Sequence, residues 1–195
     1  MAQDSSLPDF WNTRYQNGVT PWEGASLPLV ARSFFEALPR GGRALVPGCG
    51  SAGDALALSS IGFQVDAIDF SSEAVARAQV ALSGSPVRLW QADFFALPED
   101  GAYSLILERA FLCALPPALW ADYAKKMASL LKPDGLLAGV FFGMPTPKGP
   151  PFGIALEDLK AMLEPLFKLE AVEQVGNGLQ VFAGQEFWMR WRLKN

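Results

Sequence analysis

Residues 44–73, ALVPGCGSAGDALALSSIGFQVDAIDFSSE, run through strand, glycine turn, helix, strand and acidic residue in that order. Ala44 to Val46 is an apolar run that suits a buried strand. Gly48, Gly50 and Gly53 follow, and glycines let the main chain turn sharply and come close to a ligand. Asp54 to Ser60 carries a short helical pattern with apolar Ala55, Leu56 and Leu58. The start of such a helix presents free N–H groups and the positive end of its dipole. A second apolar run, Phe63 to Ile68, ends at Asp69. A carboxylate at that position can accept hydrogen bonds from both hydroxyls of a ribose. The stretch therefore predicts a nucleoside-containing cofactor held at the carboxyl ends of parallel strands.

The spacing Gly48, Gly50, Gly53 also fits the dinucleotide fingerprint G-x-G-x-x-G, with Asp69 at a suitable distance downstream. On this pattern alone NAD(P) and S-adenosylmethionine both stay open, since each carries a ribose and only NAD(P) brings a pyrophosphate. Residues further along the chain choose between them. A third apolar run, Val87 to Trp90, leads into Gln91-Ala92-Asp93-Phe94-Phe95, and the next strand, from Tyr103 to Leu107, ends in Glu108-Arg109. Leu130-Leu131-Lys132-Pro133-Asp134-Gly135-Leu136-Leu137 then reads as helix end, turn and new strand. This series resembles Rossmann-like methyltransferases and not hydride-transfer enzymes. The resemblance implies that Asp93 bonds the adenine amino group and that Phe94 beside it offers a backbone N–H.

The amino-terminal stretch Phe10-Trp11-Asn12-Thr13-Arg14-Tyr15-Gln16-Asn17-Gly18-Val19-Thr20-Pro21-Trp22-Glu23 resembles the thiopurine S-methyltransferase family, which includes thiol and halide methyltransferases. The likeness continues through Leu45-Val46-Pro47-Gly48-Cys49-Gly50, Asp93-Phe94-Phe95, Glu108-Arg109-Ala110-Phe111-Leu112-Cys113-Ala114-Leu115 and Gly149-Pro150-Pro151-Phe152. It covers residues 10–165 in the same order. Thr20-Pro21-Trp22, Pro47-Gly48-Cys49-Gly50 and Asp69 look like the thiol/halide branch. Tyr15 and Arg109 depart from that branch in its plant members, which carry Trp and Tyr there. Arg109 is shared with the thiopurine branch, and it implies a negatively charged group to pair, on the substrate or on the cofactor.

The resemblance implies a class I S-adenosylmethionine-dependent methyltransferase. Trp11, Tyr15, Trp22, Gly48, Gly50, Asp69, Asp93, Phe94 and Arg109 would stand at the cofactor, and Phe152 at the acceptor. Loop 143–153 and the amino-terminal segment would cover that acceptor. The implied reaction is methyl transfer to a small soft nucleophile: a thiol, bisulfide, thiocyanate or halide. A thiopurine-type reaction on aromatic thiols or on selenium or tellurium species is the alternative within enzymes. A cofactor-binding regulatory protein without turnover is the alternative of another class. The retained Asp93, Arg109 and complete amino-terminal stretch argue against it.

The coarse element order predicts helices near 9–16, 27–38, 53–60, 71–83, 116–131 and 155–164. Strands are predicted near 43–47, 64–69, 87–91, 103–107, 135–142, 167–175 and 179–193. The expected architecture is α/β: one Rossmann-like domain over 1–195, with residues 1–40 as a helical cover and 41–195 as the core. Its seven-stranded sheet is mostly parallel, with helices on both faces and an antiparallel last strand. Ser71 or Ser72 is expected to cap the helix at 71–83, with Glu73 in its first turn. Pro116-Pro117 opens a helix where Pro is tolerated. Arg190, Arg192 and Lys194 alternate with Trp191 and Leu193, which reads as an edge strand with one polar face. Segment 143–153, GMPTPKGPPFG, is too rich in Gly and Pro to be regular.

The chain has 195 residues, enough for one substantial core. Its net charge is −4 and no basic cluster exceeds Lys125-Lys126, so nucleic acid is not an expected partner. No apolar run reaches membrane-spanning length and the first residues are polar, so no membrane contact and no signal peptide are expected. Two cysteines, Cys49 and Cys113, are too few for a disulfide framework and fit a reducing cytosol. Cys113 reads as a small buried hydrophobe. The complete absence of His excludes His-based general-base catalysis and His ligation of zinc, and no metal site is expected. A monomer acting on a small-molecule methyl acceptor is the expected unit.

Methyl transfer from a sulfonium is an in-line displacement that chiefly needs alignment in a dry pocket. Thiols must ionise to attack well, whereas halide, thiocyanate and bisulfide arrive mostly as anions. Aromatic faces attract cations, so Trp11, Tyr15 and Trp22 suit a sulfonium site. Core packing of Trp11 and Tyr15 on one helix face, or a loop anchor for Trp22, is the structural alternative. Glu108 either accepts a substrate proton or makes a structural hydrogen bond at a strand end.

Overall fold

The computed structural model describes residues 4–24, 26–176, 178–182 and 184–194. Its seven strands form a sheet in the order β3-β2-β1-β4-β5-β7-β6. The chain falls into two compact units, Met1–Leu97 and Pro98–Asn195.

The first unit contains α1 (Pro8–Gln16), α2 (Leu29–Glu36), β1 (Arg43–Pro47), α3 (Gly53–Ile61), β2 (Gln64–Asp69), α4 (Ser72–Ala81) and β3 (Arg88–Gln91). β1, β2 and β3 are parallel neighbours, with Leu45 opposite Asp66 and Asp66 opposite Arg88. Parallel strands covered on both faces read as continuous apolar runs, and β1 is buried from Ala44 to Pro47. Asp66 interrupts the run of β2, and it is completely buried. Arg43 of β1 reaches its carboxylate at 2.9 Å, and Arg88 of β3 grips it with two bonds of 2.7 and 2.9 Å. The buried charge is thus matched by a cation from each flanking strand, as burial of a carboxylate requires. The Ser71 hydroxyl caps α4 by accepting the Ala74 N–H at 3.2 Å, so the first of the two candidate caps is the one used. The same hydroxyl donates to Asn12 of α1 at 2.7 Å, and Gln16 donates to Glu73 at 3.0 Å, which fastens α1 onto the start of α4.

The second unit contains β4 (Tyr103–Arg109), α5 (Trp120–Leu130), β5 (Leu131–Phe142), α6 (Leu156–Leu163), β6 (Phe167–Gln174) and β7 (Glu186–Leu193). The predicted helix at 116–131 divides into a short 3₁₀ turn, Pro117–Leu119, and α5. β5 starts earlier than expected because Leu131 already pairs with Tyr103. The register then shifts, and Leu136 pairs with Leu105, so the predicted turn is an irregularity inside a longer strand. Asp134 holds a φ of +59° there. Gly139 faces Glu108 across the β4–β5 pair, and a Cβ at 139 would lie 1.9 Å from the Glu108 carbonyl oxygen.

β7 runs antiparallel to both β5 and β6, as an antiparallel last strand should. It is not an edge strand, however. It lies between β5 and β6, and β6 takes the outer position. Trp188, Met189 and Trp191 are fully buried. The polar alternation that suggested a solvated edge is met by neighbours: Arg192 bonds Glu170 of β6 at 2.8 and 3.2 Å and the Asp134 carbonyl at 2.8 Å. The strand is also shorter than predicted. Gln180–Phe182 forms a 3₁₀ turn, and pairing starts only at Glu186. Among the described residues, no helix is long and apolar enough to cross a membrane.

Candidate active site

The glycine turn between β1 and α3 takes left-handed conformations at Gly48, Gly50 and Ala52, with φ of +58°, +53° and +64°. α3 starts without a side-chain cap, so its first amides keep donor capacity for a ligand. Asp69 ends β2 as predicted and stands behind this turn. Its Oδ2 accepts the Gly50 N–H at 3.0 Å and its Oδ1 accepts the Ser71 N–H at 2.9 Å. Burial pushes its carboxyl up to about 6, against the pull of the Ser71, Gly50 and Phe70 amides. Each carboxylate oxygen has a second lone pair, so the group can hold the turn and still accept hydroxyl donors.

The amino-terminal aromatic residues meet at the same turn. Trp11 and Trp22 pack edge to face at 5.4 Å, and Tyr15 and Trp22 at 6.2 Å. Trp22 Nε1 donates to the Tyr15 hydroxyl at 3.3 Å, and Trp11 Nε1 donates to the Ser5 carbonyl at 2.8 Å. Tyr15 is buried, while Trp11 and Trp22 are half-buried. A Cβ on Gly50 would lie 2.7 Å from the Tyr15 hydroxyl, so only glycine fits between the aromatic group and the main chain. The packing and functional readings of Tyr15 are therefore compatible: one face belongs to the core and the hydroxyl sits on the turn.

Asp93 lies two residues beyond β3, beside Asp69 through the Ala92 N–H donating to the Asp69 carbonyl at 3.0 Å. Its carboxylate is exposed and accepts the Phe95 N–H at 2.9 Å, capping the short turn Phe94–Ala96. Phe94 is buried. The first unit thus gathers Trp11, Tyr15, Trp22, Gly48, Gly50, Asp69, Asp93 and Phe94 at the carboxyl ends of its strands.

In the second unit Glu108 and Arg109 end β4. Glu108 is almost fully buried and has three donors: the Phe111 and Leu112 amides at 2.8 and 3.0 Å on one oxygen, and the Tyr123 hydroxyl at 2.6 Å on the other. Burial pushes its carboxyl up to about 7, although Tyr123 and the two amides hold it down. With both oxygens engaged, Glu108 serves as a structural acceptor. Arg109 is half-buried and close enough to Glu186 to favour that residue's charged form, whereas burial pushes Glu186 upward. Segment 143–153 has no regular structure, as predicted. Thr146 pins it by donating to the Pro151 carbonyl at 3.0 Å and accepting the Gly153 N–H at 2.9 Å. Phe152 packs its ring on Gly149 and donates its N–H to the Cys113 carbonyl at 2.6 Å. Cys113 is buried and burial raises its thiol well above the ordinary value, which removes it as a nucleophile.

Three participants escaped the reading of the sequence. Glu23 ends the quoted stretch Phe10 to Glu23 and accepts the Ser51 N–H of the glycine turn at 3.0 Å. Tyr123 bonds Glu108 from 15 residues downstream, and Asp66 sits inside an apolar run. Only Glu23 had a local signal, its place beside Trp22. Among the described residues, no group of three or more Cys, Asp or Glu side chains gathers in a way that would hold a metal ion.

The family model for thiopurine S-methyltransferase matches residues 6–189. The chain is 31% identical over 192 residues to thiocyanate methyltransferase 1 of Brassica oleracea, covering 95% of this chain and 85% of that protein. It is 33% identical over 200 residues to a protein of Arabidopsis thaliana named probable thiol methyltransferase 2, covering 98% of this chain and 87% of that one. Among solved structures it is similar to the 1,6-didemethyltoxoflavin-N1-methyltransferase of Burkholderia thailandensis, with a TM-score of 0.77 and 21% identity, covering 97% of this chain and 88% of that one. That structure was determined with S-adenosylhomocysteine bound.

Proposed function

Because the chain belongs to the thiopurine S-methyltransferase family and is an S-adenosylmethionine-dependent S-methyltransferase, we propose that its acceptor is a small soft anion: a thiolate, bisulfide, thiocyanate or halide. The observation that carries this reading is the convergence, within the first unit, of Tyr15 and Trp22 in front of the glycine turn and Asp69 behind it. The residues fit the cofactor. Asp69 has free lone pairs for ribose hydroxyls, and Asp93 presents an exposed carboxylate for the adenine amino group. The half-buried faces of Trp11 and Trp22 suit a sulfonium. When bound, S-adenosylmethionine supplies the activated methyl group. The protein aligns the acceptor with it and excludes water, which is where most of the acceleration of such a displacement arises.

No protein base is required for an acceptor that is already ionised. Glu108, occupied by three donors, agrees with a reaction that uses none. In this reading Arg109 holds a negative group of the cofactor or acceptor, and Phe152 lines the acceptor side. Arg109 also favours a second reading, methylation of an aromatic thiol bearing negative charge, as in the thiopurine branch. We place the enzyme in the cytosol as a monomeric catalytic domain with residues 1–40 as its cover; its two free cysteines suit a reducing compartment.

The test is an acceptor panel of thiocyanate, iodide, bisulfide, an aliphatic thiol and an aromatic thiol, each with methyl-labelled S-adenosylmethionine. The expected products are methylated thiocyanate, halide and aliphatic thiol. Label transferred to the aromatic thiol alone would establish the second reading, and label transferred to none would remove turnover with this class of acceptor.

A further inference from the structure

The half-buried carboxylate of Glu23 is used by none of the roles assigned so far. It lies just beyond α1, in the loop that carries Trp22. Its Oε1 accepts the Ser51 N–H at 3.0 Å and would lie 3.2 Å from a Cβ at Gly50, so it rests directly on the glycine turn. The Tyr15 hydroxyl, which accepts from Trp22, meets the same point of the turn, 2.7 Å from a Cβ at Gly50. The Trp22–Tyr15 pair and the Glu23–Ser51 bond therefore converge on Gly50 of the turn. Arg77 of α4 closes this cluster from the far side. Its guanidinium lies 3.8 Å from Glu23, stands 5.2 Å above the Tyr15 ring and donates to the Tyr15 carbonyl. All of these residues belong to the first unit.

We propose that Glu23 is a positioning residue: its carboxylate fastens the Tyr15–Trp22 aromatic pair onto the glycine turn and so sets the wall against which the cofactor binds. The inference rests on the proposed cofactor site and adds a residue that determines its shape. Trp22 has no rigid element of its own, because it sits in a turn between α1 and α2. Tyr15 is fixed at its ring by packing, and its hydroxyl meets the turn beside Glu23. Without the carboxylate the loop would have to be ordered by the incoming ligand, and that ordering would be subtracted from affinity. A wall fastened by Glu23 before the ligand arrives removes this cost in advance.

Two readouts separate this proposal from the cofactor reading beneath it. The first needs no ligand: hydrogen exchange at the Ser51 amide in the full chain. Glu23→Ala is expected to speed exchange at Ser51 at least tenfold while leaving amides in the middle of β2 unchanged. Unchanged exchange at Ser51 would overturn the proposal, whatever the cofactor is. The second is the split of kinetic constants. Glu23→Ala is expected to raise KM for S-adenosylmethionine at least tenfold, with kcat at saturating cofactor within about threefold, because the residue touches no reacting atom. An equal fall of kcat with unchanged KM would overturn it.

Glu23→Gln keeps an acceptor for the Ser51 N–H and loses the charge facing Arg77, so it should lie between wild type and Glu23→Ala. It also decides the matter if the Ala variant does not fold. The pair Glu23→Gln and Arg77→Met should be less than additive on KM, since both cut one connection. Full additivity would show that Arg77 acts elsewhere and would overturn the network as drawn. A wild type that binds no S-adenosylhomocysteine would fault the cofactor reading, and the Ser51 exchange would still judge Glu23.

Discussion

Asp69 does two things at once, and its substitutions should separate them. It holds Gly50 and Ser71 through their amides, and a carboxylate has acceptor capacity beyond those two bonds for ribose hydroxyls. Asp69→Asn keeps one carbonyl acceptor and loses the charge. Asp69→Ala loses both bonds to the turn as well. Hydrogen bonds to a charged group are worth about 1.5–3 kcal/mol each. Calorimetric titration with S-adenosylhomocysteine should therefore show affinity falling at least tenfold in either variant, with the melting temperature lowered in both and further in the Ala variant, since Asn can accept only one of the two turn amides. Equal affinity in wild type and both variants would mean that the carboxylate serves the turn alone.

The same residue carries a pH signature. Its carboxyl is raised to about 6 from an ordinary 3.8. The folded protein thus holds this proton more tightly than the unfolded chain, and ionising Asp69 costs stability as pH rises through about 6. Ligand affinity runs the opposite way, since ribose hydroxyls need the carboxylate. It should be level above pH 7 and weaken as pH falls through 6, and Asp69→Asn should flatten that dependence.

Glu108 gives a complementary test. Glu108→Gln can keep its oxygen toward the Phe111 and Leu112 amides and turn its NH₂ toward Tyr123. A pH–rate profile with one thiol and with thiocyanate should show the thiol rate following the thiol's own ionisation and the thiocyanate rate nearly flat. The variant should lose less than the roughly 10²-fold expected when a general base is removed. A shared pH dependence for both acceptors, abolished in the variant, would make Glu108 a base after all. Asp69 was legible in the sequence because an acid that ends an apolar run, directly after Ile68, has a positional meaning. Its bond to Gly50 was not, because that bond joins residues 19 apart across a turn. Glu108 could be located but not interpreted, since its decisive donor, Tyr123, lies on another element.

At the scale of elements, the three-stranded parallel layer of the first unit depends on a buried charge. Asp66 is inaccessible to solvent, whereas its partners Arg43 and Arg88 are partly exposed at 36% and 53%. Removing both arginines leaves an uncompensated buried carboxylate, a loss of about 3–5 kcal/mol. Chemical denaturation of an Arg43→Met, Arg88→Met double variant should show a loss of that order, while Asp66→Asn, which removes the charge itself, should cost less. The reverse ranking would mean that Asp66 is neutral in the fold. Strand positions were legible wherever apolar runs were bounded by glycine or acid, as at β1 and β2. They were less legible at β7, where alternation of Arg with Trp looks alike on an edge and between two strands. Only the partners, Glu170 and the Asp134 carbonyl, distinguish the cases.

At the scale of the whole molecule, the chemistry follows from what the chain contains and how it is ordered. There is no His among its 195 residues, and its net charge is −4. A reaction that aligns an ionised acceptor with a cationic methyl donor makes no use of an imidazole. The seven strands were readable as apolar runs and the antiparallel last strand followed from the family resemblance, but the strand order, with β7 between β5 and β6, was not. The amino-terminal aromatic residues were readable as a group, but the seat of Tyr15 on Gly50 was not, because the two residues lie far apart along the chain.

On the proposed function, the turn at Gly48–Gly53, backed by Asp69, holds S-adenosylmethionine and not a dinucleotide. Calorimetric titration of the intact protein with S-adenosylhomocysteine and, separately, with NAD addresses it directly. A dissociation constant on the order of micromolar for S-adenosylhomocysteine, about −8 kcal/mol, with NAD far weaker, is the expected result. NAD binding more tightly than S-adenosylhomocysteine would contradict it.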